Sequence, residues 1–227
     1  MRLYEVLRRL IYRKDEKYVD FENNKELTSY SQPVPSYDKD FMRLEQRGEG
    51  YYFTNTVPYR ADRAFKPETV EKVLTFAYKM TFGREGAHRV HRSGGTHERK
   101  NGEIFSNTFQ GKLAECAVCN YLHSIGFDAT PDFETYQLGK WDSSDLSVGG
   151  KEIAIKSTKR FGELLLLETH DWDEKAVYIP NKELDGGVYD MFIFVRLDPS
   201  CEDFLRNARL IYSVTADYDQ LKNLLLS

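Results

Sequence analysis

The sequence predicts a mixed α/β protein, with a mixed β-sheet flanked by helices and a mainly helical or irregular N-terminal extension. Three observations support this fold class. Apolar residues recur at helical spacing in the segments before Phe127 and again at the C-terminus. Between these segments the apolar residues alternate with polar ones, and turn residues separate the alternating stretches. The order is therefore helix, several strands, then helix.

The N-terminal part contains two predicted helices separated by an irregular region. Leu3–Tyr12 carries apolar residues on one helical face. The polar stretch Asp20–Tyr59 is interrupted by prolines and is predicted to be irregular or short-stranded. Pro67 then opens PETVEKVLTFAYKMTF, where proline at the first helical position favours a second helix. We assign residues 1–104 to an N-terminal extension for recognition or dimerisation and residues 105–227 to the core of the protein.

The core is predicted to begin with a third helix near Asn107 that ends where Gly126 can adopt a left-handed cap. DLSV, the Gly149-Gly150 pair and KEIAIKS then predict a β-hairpin. Further strands are predicted at ELLLLE (163–168), VYIP (177–180), YDMFIFVRL (189–197) and RLIYSV (209–214), and a last helix at Asp217–Leu225.

Composition restricts the class of protein. The chain has 227 residues, of which 41% are hydrophobic and 30% charged, as in a soluble globular domain. No apolar run approaches the roughly 18 residues of a membrane span, and no secretory signal is recognisable at the N-terminus, so we expect a cytoplasmic protein. Three cysteines are an odd number, which argues against a disulfide framework. The net charge of −4 does not by itself indicate nucleic-acid binding.

The KEIAIKS strand has one apolar and one polar face. Alternation places Ile153 and Ile155 on the core side and Glu152, Ala154 and Lys156 on the other. Asp145 lies at the start of the preceding hairpin strand, so its carboxylate can meet the Lys156 ammonium. On periodicity alone, a surface salt bridge worth about 0 to 1 kcal/mol explains this pair.

The segment DLSVGGKEIAIKSTK resembles the motif of the PD-(D/E)xK nucleases, the restriction-endonuclease-like superfamily. In that motif an Asp is followed, after a β-turn, by (D/E)-x-K on the next strand. The Asp here is Asp145, preceded by Ser144 instead of proline, and the Lys is Lys156. Asp142 is an alternative motif Asp, but Asp145 fits the hairpin better.

The helix GKLAECAVCNYLHSIGF resembles the first core helix of the same superfamily, with Glu115 at the position that often faces the metal site. The resemblance covers roughly Phe105–Leu197, less than half of the chain. It implies a restriction-endonuclease-like fold and a Mg²⁺ cofactor held by Asp145, Glu115 and the main-chain carbonyl of Ile155. It also implies that Lys156 orients or helps to deprotonate the attacking water.

Ala154 departs from the superfamily pattern, because this position carries the second acidic residue of the motif and a methyl group cannot bind a metal. Three explanations remain open. Glu115 or Glu152 replaces the missing acid, or the natural protein binds DNA without cutting it. Alternatively, alanine was introduced deliberately to trap an uncleaved complex.

Arginine and lysine side chains supply candidate contacts to DNA. Arg84–Lys100 is a basic stretch with a Gly-Gly pair, and a solvated charged loop is the plain alternative. Arginine can pair bidentately with guanine, and both arginine and lysine bind phosphate. The candidates are Arg89, Arg92, Arg99, Lys159 and Arg160.

The expected function is that of a type II restriction endonuclease, a Mg²⁺-dependent enzyme that hydrolyses phosphodiester bonds at specific sites in double-stranded DNA. The chain has a nuclease-like core plus about 100 residues of extension and no P-loop. Such enzymes usually act as homodimers on palindromic sites. The alternatives are a repair or modification-dependent nuclease of the same superfamily and a non-catalytic DNA-binding protein.

Overall fold

The computed structural model describes residues 44–48, 50–53, 59, 61, 64–83, 85, 97–134, 144–162, 171–174, 177–179 and 188–226. The chain divides into two compact units, Met1–Arg60 and Ala61–Ser227. The predicted helix Leu3–Tyr12 and the predicted strand at 163–168 lie outside the described residues.

The first unit contains a β-hairpin of strands β1 (Leu44–Arg47) and β2 (Gly50–Phe53). The two strands pair antiparallel, and Gly48 in the turn has a φ of 62°. This positive φ is the backbone conformation that glycine adopts without a steric penalty. The hairpin lies in the stretch predicted to be irregular or short-stranded.

The second unit contains four helices and a three-stranded mixed sheet within the described residues. The helices are α1 (Pro67–Met80), α2 (Asn101–Ser124), α3 (Cys201–Asn207) and α4 (Tyr218–Leu226). The strands are β3 (Leu146–Val148), β4 (Lys151–Lys159) and β5 (Met191–Leu197). β3 is antiparallel to β4, and β4 is parallel to β5, so the mixed α/β class is confirmed.

The helices bury one apolar cluster. Leu74 from α1, Phe105 from α2, Leu205 from α3 and Leu221 from α4 are fully buried in it. α2 also packs against β4 and β5. Removing such apolar surface from water is the main favourable term in folding, at roughly 25 cal/mol per Å². The helix α2 therefore links the helical cluster to the sheet that carries the predicted site.

Periodicity located α1, α4 and the hairpin correctly, and Gly126 at the end of α2 has a φ of 90°, as predicted for a left-handed cap. The predicted start of the third helix was wrong, since α2 begins at Asn101 and not near Asn107. The added turns are held from outside the helix: Gly102 N–H donates to Ser213 O at 3.0 Å, and Asn101 Nδ2 donates to Val214 O at 2.7 Å.

Two predicted strands were wrong. RLIYSV forms turns, in which Ser213 N–H donates to Leu210 O. The carbonyls of Ser213 and Val214 accept hydrogen bonds from the first two residues of α2. In VYIP, Tyr178 forms only an isolated bridge with Trp172. The helix α3 was not predicted; its N-cap, Ser200, accepts a hydrogen bond from Asp203 N–H at 3.3 Å.

The division at residues 104 and 105, with recognition or dimerisation assigned to the first part, stays a prediction. α2 runs continuously through this position. No helix in the described part of the chain is long and apolar enough to cross a membrane.

Candidate functional site

The hairpin β3–β4 brings the predicted site residues to one edge of the sheet. Gly149 and Gly150 have φ values of 60° and 72°, so the turn uses the positive φ that the sequence predicted. Ser147 pairs with Glu152 and Leu146 pairs with Ile153. Continuing this register by one residue places Asp145 opposite Ala154, on the same face as Glu152 and Lys156.

Asp145 and Lys156 are in contact. Lys156 Nζ lies 3.3 Å from Asp145 Oδ2, and Ile155 N–H donates to the same oxygen at 2.6 Å. The two side chains are 33% and 41% exposed, so the pair is open to solvent on one side. The second oxygen, Oδ1, accepts no hydrogen bond from the described part of the chain. One carboxylate oxygen is thus fixed and the other is open to a ligand.

The Ile155 carbonyl points toward the same edge. In an extended strand the N–H and C=O of one residue are directed to the same neighbouring strand. Because Ile155 N–H donates to Asp145, the carbonyl of Ile155 faces the Asp145 side as well. Mg²⁺ takes oxygen ligands and keeps several waters, so a carboxylate and a carbonyl at one edge match its chemistry. These two groups fit a Mg²⁺ ion that retains most of its water ligands.

Ala154 has no exposed surface. It shares its face of β4 with Glu152 and Lys156, and the parallel register places Phe192 of β5 beside it. The expectation that only the isoleucine face is buried was therefore wrong at this position. A carboxylate introduced here would be buried, opposite Asp145 in the register of the hairpin.

Glu152, the proposed substitute acid, is held by two hydroxyl groups. Ser147 Oγ donates to Glu152 Oε1 at 2.8 Å, and Ser144 Oγ donates to Oε2. The carboxylate lies two residues before Ala154 on the same strand face. Each oxygen has a second lone pair, so the carboxylate can bind a cation or water while it keeps the serine hydrogen bonds.

Glu115 has a different partner within α2. Lys112 Nζ donates to Glu115 Oε2 at 2.5 Å and to Asp132 O at 2.7 Å. The Lys112 and Glu115 side chains are only 11% and 15% exposed. The Lys112 ammonium also lies 4.9 Å from the centre of the Phe76 ring. Glu115 therefore neutralises a mostly buried ammonium, and this contact explains its position without a metal.

Asp190 supports the site and was missed by the sequence interpretation. Its Oδ1 accepts from Lys151 Nζ at 2.6 Å and its Oδ2 accepts from Glu152 N–H at 2.9 Å, while its own N–H donates to Glu152 O. These contacts fix the start of β4 against β5. The Lys151 hydrogen bond, followed by that from Glu152 N–H, lowers the pKa of Asp190. An aspartate directly before the MFIFVRL strand was the only sequence signal for this role.

A pH dependence of stability follows from Asp190. A carboxyl whose pKa is lower in the folded state stabilises the fold above its ordinary pKa of 3.8, and this contribution is lost as the pH falls through the lower folded value. We expect Asp190→Asn to reduce the free energy of unfolding at pH 7 by about 1 kcal/mol or less, because the pair is partly exposed. Below pH 3.8 the difference in free energy of unfolding between the variant and the wild type should become smaller. Thermal unfolding at several pH values would measure it. A difference that widens in acid would contradict this role.

The predicted DNA contacts are only partly within the described residues, since Arg89 and Arg92 lie outside them. Arg99 lines a pocket of about 350 Å³ with Glu103, Glu202 and Arg206, and neither Asp145 nor Lys156 lines it. This pocket lies between the start of α2 and α3.

Lys159 and Arg160 lie at the far end of β4 and have acidic partners. Lys159 Nζ is 3.1 Å from Glu202 Oε2 and 3.3 Å from Asp203 Oδ1. Arg160 Nη1 is 3.3 Å from Asp198 Oδ2. Exposed pairs of this kind contribute little to stability, so both cations can exchange these partners for phosphate. Their role in DNA binding stays a prediction.

The cysteines do not form a reactive or metal-binding group. All three are buried thiols. Burial raises the pKa of Cys116 to about 11, and that of Cys119 and of Cys201 to about 12, so the thiols stay protonated near neutral pH. Among the described residues no three or more His, Cys, Asp or Glu side chains are grouped to hold a metal. The predicted Mg²⁺ site depends on two carboxylates and a main-chain carbonyl.

No family model, curated protein or solved structure matches this chain.

Proposed function

We propose that this protein is a Mg²⁺-dependent DNA endonuclease whose reacting groups lie at the Asp145 edge of the β3–β4 hairpin. The observation that carries the proposal is the contact of Asp145 with both Lys156 Nζ and Ile155 N–H. It joins the two motif residues across the hairpin and leaves one carboxylate oxygen open. The resemblance of DLSVGGKEIAIKSTK to the PD-(D/E)xK motif supplies the reaction class.

The proposed chemistry divides between a cation and the side chains of the hairpin. Phosphodiester hydrolysis develops negative charge on the phosphoryl oxygens, which a bound Mg²⁺ stabilises while it lowers the pKa of a coordinated water. Asp145 and the Ile155 carbonyl would hold the ion. The Lys156 ammonium, held 3.3 Å from Asp145 Oδ2, would bind the scissile phosphate and orient the attacking water.

Ala154 stands where the motif has its second acidic residue, so an active enzyme would need another carboxylate in its place. Glu152 shares the strand face but is bound by two serine hydroxyls, and Glu115 is bound by Lys112. Of the two, we favour Glu152, because neutral hydroxyl partners are exchanged more easily than a mostly buried ammonium at 2.5 Å. Glu115 remains the alternative that the family resemblance implies.

A DNA-binding protein without nuclease activity is the second candidate. The observation that favours it is the enclosed methyl group of Ala154 at the motif position of the missing acid. Such a protein would keep the Lys156 ammonium for phosphate binding but would hold Mg²⁺ weakly.

Cleavage of plasmid DNA tests the proposal. We would incubate the chain and its Ala154→Asp variant with plasmid and Mg²⁺, with Ala154→Asn as the uncharged control. Discrete fragments from either the wild type or the Asp variant would support a type II restriction enzyme acting on double-stranded DNA, with the homodimer that this class uses. Degradation without site preference would favour a repair nuclease. No cleavage by the wild type or the Asp variant would overturn the enzyme proposal.

A second readout of the same variants does not depend on activity. A larger polar side chain at the buried Ala154 position should lower stability by roughly 1–3 kcal/mol in the Asn variant. The Asp variant should lose more, because a buried charge is costlier than a buried amide. The introduced carboxylate also repels Asp145, and a bound cation relieves this repulsion. We therefore expect Mg²⁺ to raise the melting temperature of Ala154→Asp more than that of Ala154→Asn. Equal Mg²⁺ effects on the two variants would argue against a cation at this edge.

A further inference from the structure

An aromatic side chain projects from the turn that follows β4. Phe161 is 76% exposed, the highest exposure of any large hydrophobic residue in the described part of the chain. The guanidinium of Arg160 lies over its ring, 4.2 Å from the ring centre. A single exposed apolar residue is ordinary on a protein surface. An exposed ring with an arginine on one face is a more specific arrangement, because that face is covered and the other is open.

The turn holds Phe161 in place. Gly162 N–H donates to Lys159 O at 2.8 Å, and Arg196 Nη1 donates to Arg160 O at 3.4 Å. A Cβ atom on Gly162 would lie 2.1 Å from Thr158 Oγ1, so the backbone of the turn packs directly on β4. Because the turn is braced on several sides, the ring is exposed without the entropy cost of ordering a loose loop upon binding.

The position of the ring relative to the proposed reacting groups is set by β4 itself. Phe161 follows Lys156 by five residues along the strand and its turn. At about 3.3 Å per residue this separation is roughly 15 Å, comparable to the rise of about four or five base pairs of DNA. A DNA strand bound at Lys156 can therefore reach Phe161 within a few nucleotides.

We propose that Phe161 stacks on an unpaired nucleobase of the bound DNA, while Arg160 and Lys159 contact the adjacent phosphates. Every base has a π-face, and aromatic side chains bind bases by stacking with little sequence preference. Since Arg160 covers one face of the ring, Phe161 accepts one base and does not intercalate between two. The inference deepens the proposed function and rests on it, because it names an unpaired nucleotide near the cleavage site as part of the substrate.

Equilibrium binding tests the inference. The full chain would be titrated, with Ca²⁺ in place of Mg²⁺, into a DNA duplex that carries an unpaired 2-aminopurine. We expect Phe161→Ala to weaken binding roughly 10-fold and to reduce the change in 2-aminopurine fluorescence. Phe161→Trp should retain both, since it keeps an aromatic face, whereas Phe161→Leu should lose them despite its apolar character.

Tyr212→Ala is the matched control. Tyr212 is 57% exposed, and its ring centre lies 5.7 Å from the guanidinium carbon of Arg206 in α3. Its replacement should leave DNA binding unchanged. Melting temperatures of all variants should match the wild type, because neither aromatic side chain is part of the buried core.

The outcomes separate this inference from the proposed function. If the wild type binds the DNA and Phe161→Ala or Phe161→Leu binds equally well, stacking by Phe161 is wrong and the nuclease proposal is unaffected. If Phe161→Ala weakens binding to a fully paired duplex as much as it weakens binding to the duplex with the unpaired base, stacking on an unpaired base is wrong. If the wild type does not bind DNA at all, both proposals fail.

Discussion

Asp145→Asn should abolish Mg²⁺-dependent DNA cleavage. The substitution would be made in the wild type if the wild type cuts plasmid, and otherwise in the Ala154→Asp variant. The asparagine amide can still accept the Ile155 N–H bond through its oxygen, so the hairpin should remain folded. The lost charge removes the proposed anionic ligand of Mg²⁺ and the acidic partner of Lys156. We expect the rate to fall by roughly a thousandfold or more, because metal and electrostatic stabilisation supply several kcal/mol of such a barrier.

Two further variants make this result specific. Lys156→Met should reduce the rate by roughly a hundredfold or more, because it removes the ammonium proposed to bind phosphate and orient water. Asp219→Asn, at an exposed position of α4, removes the same charge from a helix that packs against α1 and α3 and should leave the rate unchanged. Single-turnover cleavage with melting temperatures recorded in parallel would measure these effects. An Asp145→Asn enzyme that is folded and fully active would rule out this site.

Gly102→Ala should cause a large loss of stability in the second unit. A Cβ atom at Gly102 would lie 2.1 Å from Leu210 O and 2.5 Å from Ile211 O, which are main-chain atoms that cannot move without opening the turn. The same displacement would strain the hydrogen bond from Gly102 N–H to Ser213 O. Forcing extra volume into a packed site costs about 1–3 kcal/mol and sometimes more, so we expect a loss of about 3 kcal/mol.

Gly111→Ala is the control within the same helix. A Cβ atom there meets no atom within 4 Å, and alanine has the higher helix propensity, so stability should stay equal or rise by up to about 1 kcal/mol. Thermal or chemical unfolding would compare the two variants. Equal effects at the two positions would show that the start of α2 does not pack against residues 210–213 as described.

The local sequence was sufficient to predict the hairpin. Gly149 and Gly150 supply positive φ, and the alternation in KEIAIKS fixes which residues share a face. Since side chains on one face of neighbouring strands are necessarily close, the contact between Asp145 and Lys156 followed from these local rules. The helices α1 and α4 followed from apolar periodicity and from Pro67 at a helix start.

The elements that the sequence failed to predict depend on residues far apart in the chain. α2 begins at Asn101 because the segment near Ser213 accepts hydrogen bonds from its first turn, a partner more than 100 residues away. The apolar residues of RLIYSV suggested a strand, but the chain there turns to pack Ile211 into the helical cluster. Local propensity is a weak prior that such tertiary contacts override.

The sequence by itself determined the mixed α/β class, the hairpin and the pairing of Asp145 with Lys156, because these depend on turn chemistry and on a period of two residues. Only the tertiary structure decided that Ala154 is enclosed, that Glu115 is bound by Lys112 and that Phe161 is exposed under Arg160. The physical reason is that burial and charge pairing depend on which elements pack together, and no local pattern specifies those neighbours.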